Sequence, residues 1–402
     1  MLTYGEKVCR LSKSISGISD ARKKPRIPIG RVVRSALAMF ASRLGSLNAL
    51  EQVKESPFLK EWLAGPLPSP DSIGRILNLT APDTVRPAMH AIYSQLKRNK
   101  TIVAPWHGLF AVVVDGHESH ASYKCCCDGC LHREIRTATG TRTQFYHRNV
   151  SAMLLCDGFE IFLDCETQLP GEDEVATAIR LLERILRTYA RAFDLVLADA
   201  IYTDPRFFTF LHSHGKDVLT VLKENQPGLL AEARTLSELV EPTSICQGRK
   251  KIECWDMEGF APWPEIKKPL RVARTRETST IKRQLDGKNE EQVSEWFWLT
   301  TLDREQANPK ALVELGHDRW DIENHGFNET VNEWQTDHVY RHAPTAILIF
   351  TLLCMMVYNL FHAFWTRNLK PALKAKVTMR HIARVILQEL YKGIHQHLPQ
   401  PP

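Results

Sequence analysis

Apolar residues recur at helical spacing over residues 29–44 of this 402-residue chain. Ser46 is expected to cap a further helical segment running to about Leu59, and Ser72 one over residues 73–79. The intervening Gly65-Pro66-Leu67-Pro68-Ser69-Pro70 reads as a rigid linker. After the cluster Lys97-Arg98-Asn99-Lys100 the pattern turns to strands, at residues 110–115, 150–156 and 160–165. A helix follows over about 173–192, with Val175, Ile179, Leu182 and Leu186 on one face. Next come a short buried strand (195–199), a helix (205–214) and a strand (218–222). Asp115 and Asp199 stand where the first and fourth of these strands end. From about 248 to 301 short β runs lie among charges, including 270–274 and 296–300, and helical spacing resumes over 309–332 and 378–390. No internal repeat is present.

Residues 343–365 contain no Asp, Glu, Lys or Arg, a stretch long enough to span a membrane. Asn359 and His362 within it, and the lack of a second such stretch, favour a helix buried inside a large domain. With no charged leader and apolar run at the start, the expectation is a cytoplasmic protein without membrane contact.

Composition adds little until it is resolved along the chain: 44% hydrophobic and 24% charged residues describe ordinary globular protein. The formal charge of +6 is unevenly spread, at +10 for residues 1–100, +6 for 362–402 and −10 between. Basic flanks suit contact with a polyanion and an acidic centre suits bound metal, although solvated surface charge explains the same numbers. The ten cysteines gather rather than forming a framework, with Cys125, Cys126, Cys127 and Cys130 together. Cys127 and Cys130 form a CxxC pair around Asp-Gly, and with His132 and His147 they make a candidate zinc set; free thiols on a loop are the alternative.

An acid leaving the end of a buried strand is costly unless partnered, and Mg²⁺ is a suitable partner. Either aspartate alone reads more readily as a turn or helix cap. Adding Arg319-Trp320-Asp321-Ile322-Glu323-Asn324, the chain resembles the DDE transposases of bacterial insertion sequences over roughly residues 30–370. Their third acid lies in a Tyr-x2-Arg-x3-Glu-x6-Lys signature, which Arg319 and Glu323 fit. Gly316 and Thr330 stand where Tyr and Lys are usual, so DNA contacts made at those positions do not carry over. Gly-His-Glu after Asp115, Ala200-Ile201-Tyr202 after Asp199 and Lys223-Glu224-Asn225 extend the resemblance. The acids of 166 and 172–174 are read as structural, those at the helix start meeting its dipole.

The resemblance implies an RNase H-like mixed α/β sheet flanked by helices, with an N-terminal helical domain and a β-rich insertion before the last catalytic helix. The expected divisions are a basic DNA-end-binding domain (1–104), the first part of the core (105–225), the insertion (226–305), the second part of the core (306–366) and a basic helical segment (367–402). It further implies two-metal phosphodiester chemistry with Mg²⁺ or Mn²⁺ on Asp115, Asp199 and Glu323. DNA contacts would come from Arg319, Lys223, Asn324 and Trp296. Trp296 shares a strand face with Trp298, which is read as core, and aligns with a tryptophan that stacks on a flipped base in hairpin-forming transposases. The implied partners are the element's terminal inverted repeats and target DNA, joined by a homodimer. An RNase H-like nuclease that does not transpose, or an inactive zinc-containing DNA-binding protein of transposase descent, are the alternatives.

Overall fold

In a computed structural model of the chain, residues 1–392 and 394 are described, except 139, 249 and 283–288, so the end of the expected segment 367–402 lies outside the described residues. They form two compact units. The first holds Met1–Val103, Gly116–Thr188 and the chain from Glu323 onward; the second holds Ala104–Asp115 and Tyr189–Ile322.

Seven helices open the first unit: α1 (Leu2–Cys9), α2 (Leu11–Ile15), α3 (Ile29–Ala41), α4 (Leu47–Gln52), α5 (Pro57–Leu63), α6 (Pro70–Leu77) and α7 (Pro82–Arg98). Ser46 caps α4 as expected, accepting from the Ala49 N–H. The helix stops before Pro57, which starts α5 under its own cap, Ser56, because proline cannot continue the i−4 ladder. Likewise α6 is capped by Ser69 rather than Ser72, since Pro70 sits at its first position, where a missing N–H costs nothing.

Strand β1 (Ala111–Ser122) starts in the second unit and runs past Asp115 into the first. It is followed by β2 (Leu131–Thr137), β3 (Gly140–Cys156), β4 (Phe159–Thr167) and α8 (Glu174–Tyr189). β3 pairs antiparallel with both β2 and β4. β2 has no counterpart in the sequence reading, because it is mostly exposed and a ribbon without a buried face shows no apolar alternation. On the buried side of β4, Asp164 meets Arg86 of α7 at 3.0 Å and Arg184 of α8 at 2.6 Å. Glu166 meets Arg180 at 2.9 Å and Arg184 at 2.6 Å, so this acid joins helices to a strand.

The second unit continues with β5 (Leu195–Ala198), α9 (Pro205–Ser213), β6 (Asp217–Val221), α10 (Pro227–Ser237), β7 (Thr243–Gln247), β8 (Lys250–Phe260), β9 (Leu270–Lys282), β10 (Asn289–Thr300) and α11 (Pro309–Asp318). Its strands lie in the order β1, β5, β6, β10, β9, β8, β7. The first three are parallel and the remainder antiparallel, so the stretch 226–305 extends the same sheet. Arg271, 2% exposed, ties β9 to Asp256 of β8 at 2.6 Å and to the carbonyls of Asp303 and Ala307 ahead of α11. The chain order of strands, helix, strand, helix, strand is the one anticipated, and the fold is mixed α/β.

A π-helix (Ile322–Phe327) and α12 (Asn328–Trp334) lead to α13 (Pro344–Asn368), α14 (Pro371–Lys374) and α15 (Met379–Tyr391). α13 is the apolar stretch, and 89% of its most apolar window is buried inside the fold. It packs on α3, α6, α7 and β4. Asn359, the polar residue in mid-helix, accepts from the Phe162 N–H at 2.8 Å and donates to the Phe162 carbonyl at 2.7 Å.

Replacing Asn359 by alanine strands both Phe162 backbone groups in the core. The expected loss is roughly 2–4 kcal/mol, read as a lower urea midpoint at unchanged slope. A pH effect belongs to the second unit, where buried Glu277 of β9 meets His317 of α11 at 2.6 Å and Lys250 at 2.8 Å. Burial alone pushes this carboxyl up, but the hydrogen bonds and charges of His317 and Lys250 outweigh it and hold it below the ordinary range. Its contribution is therefore complete above the ordinary carboxylate value and is lost as pH falls through the lower folded value. Urea midpoints measured between about pH 3 and 7 should show a shallower acid decline for Glu277→Gln than for the wild type.

Candidate catalytic site

The chain brings Asp115 and Asp199 together by strand register alone. β1 and β5 are parallel, with Ala111 opposite Leu195 and Val114 opposite Ala198. All eight residues of this pairing are buried, and the next residue on each strand is an aspartate, both half-buried. Two carboxylates thus follow the last parallel pair: Asp199 lies just beyond β5, but Asp115 lies within β1, which continues to Ser122 rather than ending at residue 115 as expected. Asp199 also caps the 3₁₀ turn Ala200–Tyr202 by accepting from the Ile201 N–H at 3.3 Å, so its capping and ligand readings coexist.

Arg319 lies at the end of α11 with 5% of its surface exposed, and a guanidinium nitrogen stands 3.9 Å from the Asp115 carboxylate. The helical spacing over 309–332 puts Arg319 and Glu323 one turn apart on a single α-helix. The α-helix instead stops at Asp318, and Glu323 sits on the π-helix Ile322–Phe327, so α-helical spacing does not govern their directions. π-turns of this kind recur at functional sites because the extra residue re-aims side chains. Arg319 is paired with Asp115. Glu323 is half-buried and Asn324 exposed.

The segment after β6 is held against the turn that follows Asp199. Asn225 donates to the Ala200 carbonyl at 2.7 Å and Gln226 to that of Thr203 at 2.9 Å. These bonds give Ala200-Ile201-Tyr202 and Lys223-Glu224-Asn225 a common role, and leave Lys223 exposed.

Trp296 and Trp298 stack on one face of β10, 5.9 Å apart, as alternation predicts. Trp298 is fully buried, whereas Trp296 is half-exposed and meets Trp320 edge-on at 4.8 Å. His317 packs beside them, held by Glu277. Both departures from the signature have packing causes. A Cβ at Gly316 would lie 2.7 Å from the Trp298 ring, so tyrosine does not fit there. Thr330 is buried and donates to the Gly326 carbonyl at 2.9 Å, facing inward.

Of the candidate zinc residues, Cys127, Cys130 and His147 converge, while His132 is exposed on β2. The fourth member is His342, 212 residues from Cys130, a separation that local spacing does not reveal. Burial, aided by the imidazoles of His120 and His342, pushes the His147 ring down to about 4, which keeps it neutral.

No curated protein matches the chain. A family model described as "Transposase DDE domain" matches residues 111–360, a span that contains both aspartates, Arg319 and Glu323. This protein therefore belongs to the transposase DDE domain family, whose RNase H-like enzymes act on DNA with divalent metal ions.

Proposed function

We propose that the chain is the transposase of a bacterial insertion sequence, cutting DNA at the element's terminal inverted repeats and joining the ends to target DNA. The observation that carries this reading is the parallel register of β1 and β5, whose last pair is followed by Asp115 and Asp199. Their oxygen donors, with Glu323 added through the signature it shares with Arg319, fit Mg²⁺ or Mn²⁺, which prefer carboxylate and water. Two such ions, when bound, activate a water or 3′-hydroxyl and stabilise the leaving oxygen.

The chain's own groups supply the rest. Asp115 and Asp199 present carboxylates from a rigid sheet, and Arg319 steadies Asp115 while offering charge to a phosphate. Lys223 and Asn324, both exposed, contact the DNA backbone. The basic N-terminal region, with Lys23, Lys24 and Arg26 exposed, holds the transposon end, and a homodimer synapses two ends. The setting is the bacterial cytoplasm, at the nucleoid. Basic segments on both flanks favour transposition over simple nuclease action, which needs no apparatus for pairing ends.

Asp115→Ala, Asp199→Ala and Glu323→Ala are each expected to abolish cleavage and strand transfer on DNA bearing the inverted repeats that flank the gene. Affinity and its salt dependence should stay near wild type, because phosphate contacts supply most of the binding. Cleavage without joining by the wild type would favour the nuclease reading, and full turnover by one variant would remove that residue from the site.

Trp296, half-exposed beside the buried Trp298, is suited to stack on a base unpaired at the cleavage site. Trp296→Ala should impair strand opening more than the first nick. The readout is the fluorescence of 2-aminopurine near the cut; an unchanged rise with wild-type product ratios would make Trp296 a core residue only.

A further inference from the structure

The sulfur and nitrogen atoms of Cys127, Cys130, His147 and His342 lie within 4.8 Å of one another. The sulfurs are 3.6 Å apart, and Nε2 of His147 is 3.3 Å from Cys127 Sγ and 3.4 Å from Cys130 Sγ. Nε2 of His342 is 3.6 Å from Cys130 Sγ. Zinc bonds of about 2.3 Å to sulfur and about 2.0–2.1 Å to nitrogen make a tetrahedron with S···S edges of about 3.8 Å and S···N edges of about 3.5 Å. These four separations lie within about 0.2 Å of the corresponding edges. Pairwise hydrogen bonding accounts for single contacts, whereas four ligand atoms all within 4.8 Å of one another are what a single ion requires.

We propose that Cys127, Cys130, His147 and His342 form a structural zinc site, closed by four protein ligands, and distinct from the metal-binding carboxylates. Two thiolates and two neutral imidazoles would leave the complex without net charge once Zn²⁺ is bound, which suits a site whose Cys130 and His147 are buried; binding releases the two thiol protons. The Cys127 N–H donates to Cys130 Sγ at 3.3 Å, an interaction that stabilises a thiolate. Gly129 is required at the knuckle, since a Cβ there would lie 2.5 Å from Pro344 Cγ, at the start of α13.

The site links three segments distant in sequence: the loop between β1 and β2, strand β3, and the connection from α12 to α13. Closing so long a loop restrains the unfolded chain, and the bound ion adds its binding free energy to folding. The zinc thereby anchors the entry to the buried helix and holds the connection that follows the Glu323 helix.

The test uses the full chain without a histidine tag, reduced and freed of metal, then titrated with Co²⁺ as a spectroscopic substitute. The expected result is a tetrahedral d–d spectrum with thiolate charge transfer, saturating at about one ion per chain and displaced by zinc. Zinc should also raise the thermal midpoint, and chelation should lower it. Cys130→Ser and His342→Ala should lose the tetrahedral spectrum, while Cys126→Ser and His132→Ala keep it. A reduced wild-type chain that gives no tetrahedral cobalt spectrum overturns the assignment, leaving only a thiol–imidazole cluster. So does a spectrum that His132→Ala abolishes and His342→Ala leaves unchanged.

Discussion

A 25-residue helix without a charged side chain until its last turn must be covered, and the first unit is built around that requirement. The N-terminal helices α3, α6 and α7 and the strand β4 all pack against α13. Burial of this much apolar surface is the main favourable term available to them. Asn359 adds direction to an otherwise unspecific attraction. Its amide satisfies both backbone groups of Phe162, so the helix has one register against β4. The ion pairs from Arg86 and Arg184 to Asp164 then orient α7 and α8 on the same strand. An apolar run that passes a membrane-length test is here the core of the unit, because its surface is taken up by protein.

The second unit solves a different problem, that of holding two carboxylates side by side. Parallel pairing of β1 and β5 does so at little local cost, since the four paired residues of each strand are buried and the residue that follows them is an aspartate in both. Arg319, itself buried, supplies positive charge beside Asp115. Like charges brought together would raise the energy of the folded sheet without such a partner. The α-helix that ends at Asp318 gives way to the π-helix Ile322–Phe327.

The signature's missing tyrosine and lysine are consequences of packing. Trp298 takes the space that a side chain at position 316 needs, and Thr330 turns inward to bond its own helix. A second indole, Trp296, remains half-exposed on that face, held among Trp298, Trp320 and His317. The aromatic group is thus partly scaffold and partly surface, and burial separates the two roles.

The order of helices and strands, the buried character of residues 343–365 and the strand-end position of Asp199 were legible in the sequence, whereas β1 runs on past Asp115 to Ser122. Each legible feature is written in a local period or in a short run of one residue class. The single segment expected from Ser46 to about Leu59 is two helices, and the start expected at Ser72 falls at Ser69, because Pro57 and Pro70 set helix starts that the apolar rhythm does not show. β2 escaped notice because an exposed ribbon imposes no alternation. The resemblance singled out Arg319 and Glu323, but the end of α11 at Asp318 and the π-helix that carries Glu323 were not legible in local spacing. Cys127, Cys130 and His147 were marked by proximity along the chain, whereas His342 was reached only through the fold. What the sequence determined by itself is therefore whatever neighbouring residues settle among themselves: period, cap and strand end. Which distant side chains share a point, as His342 does with Cys130 across 212 residues, was decided only by the tertiary structure, because chain separation says nothing of distance once the core has closed.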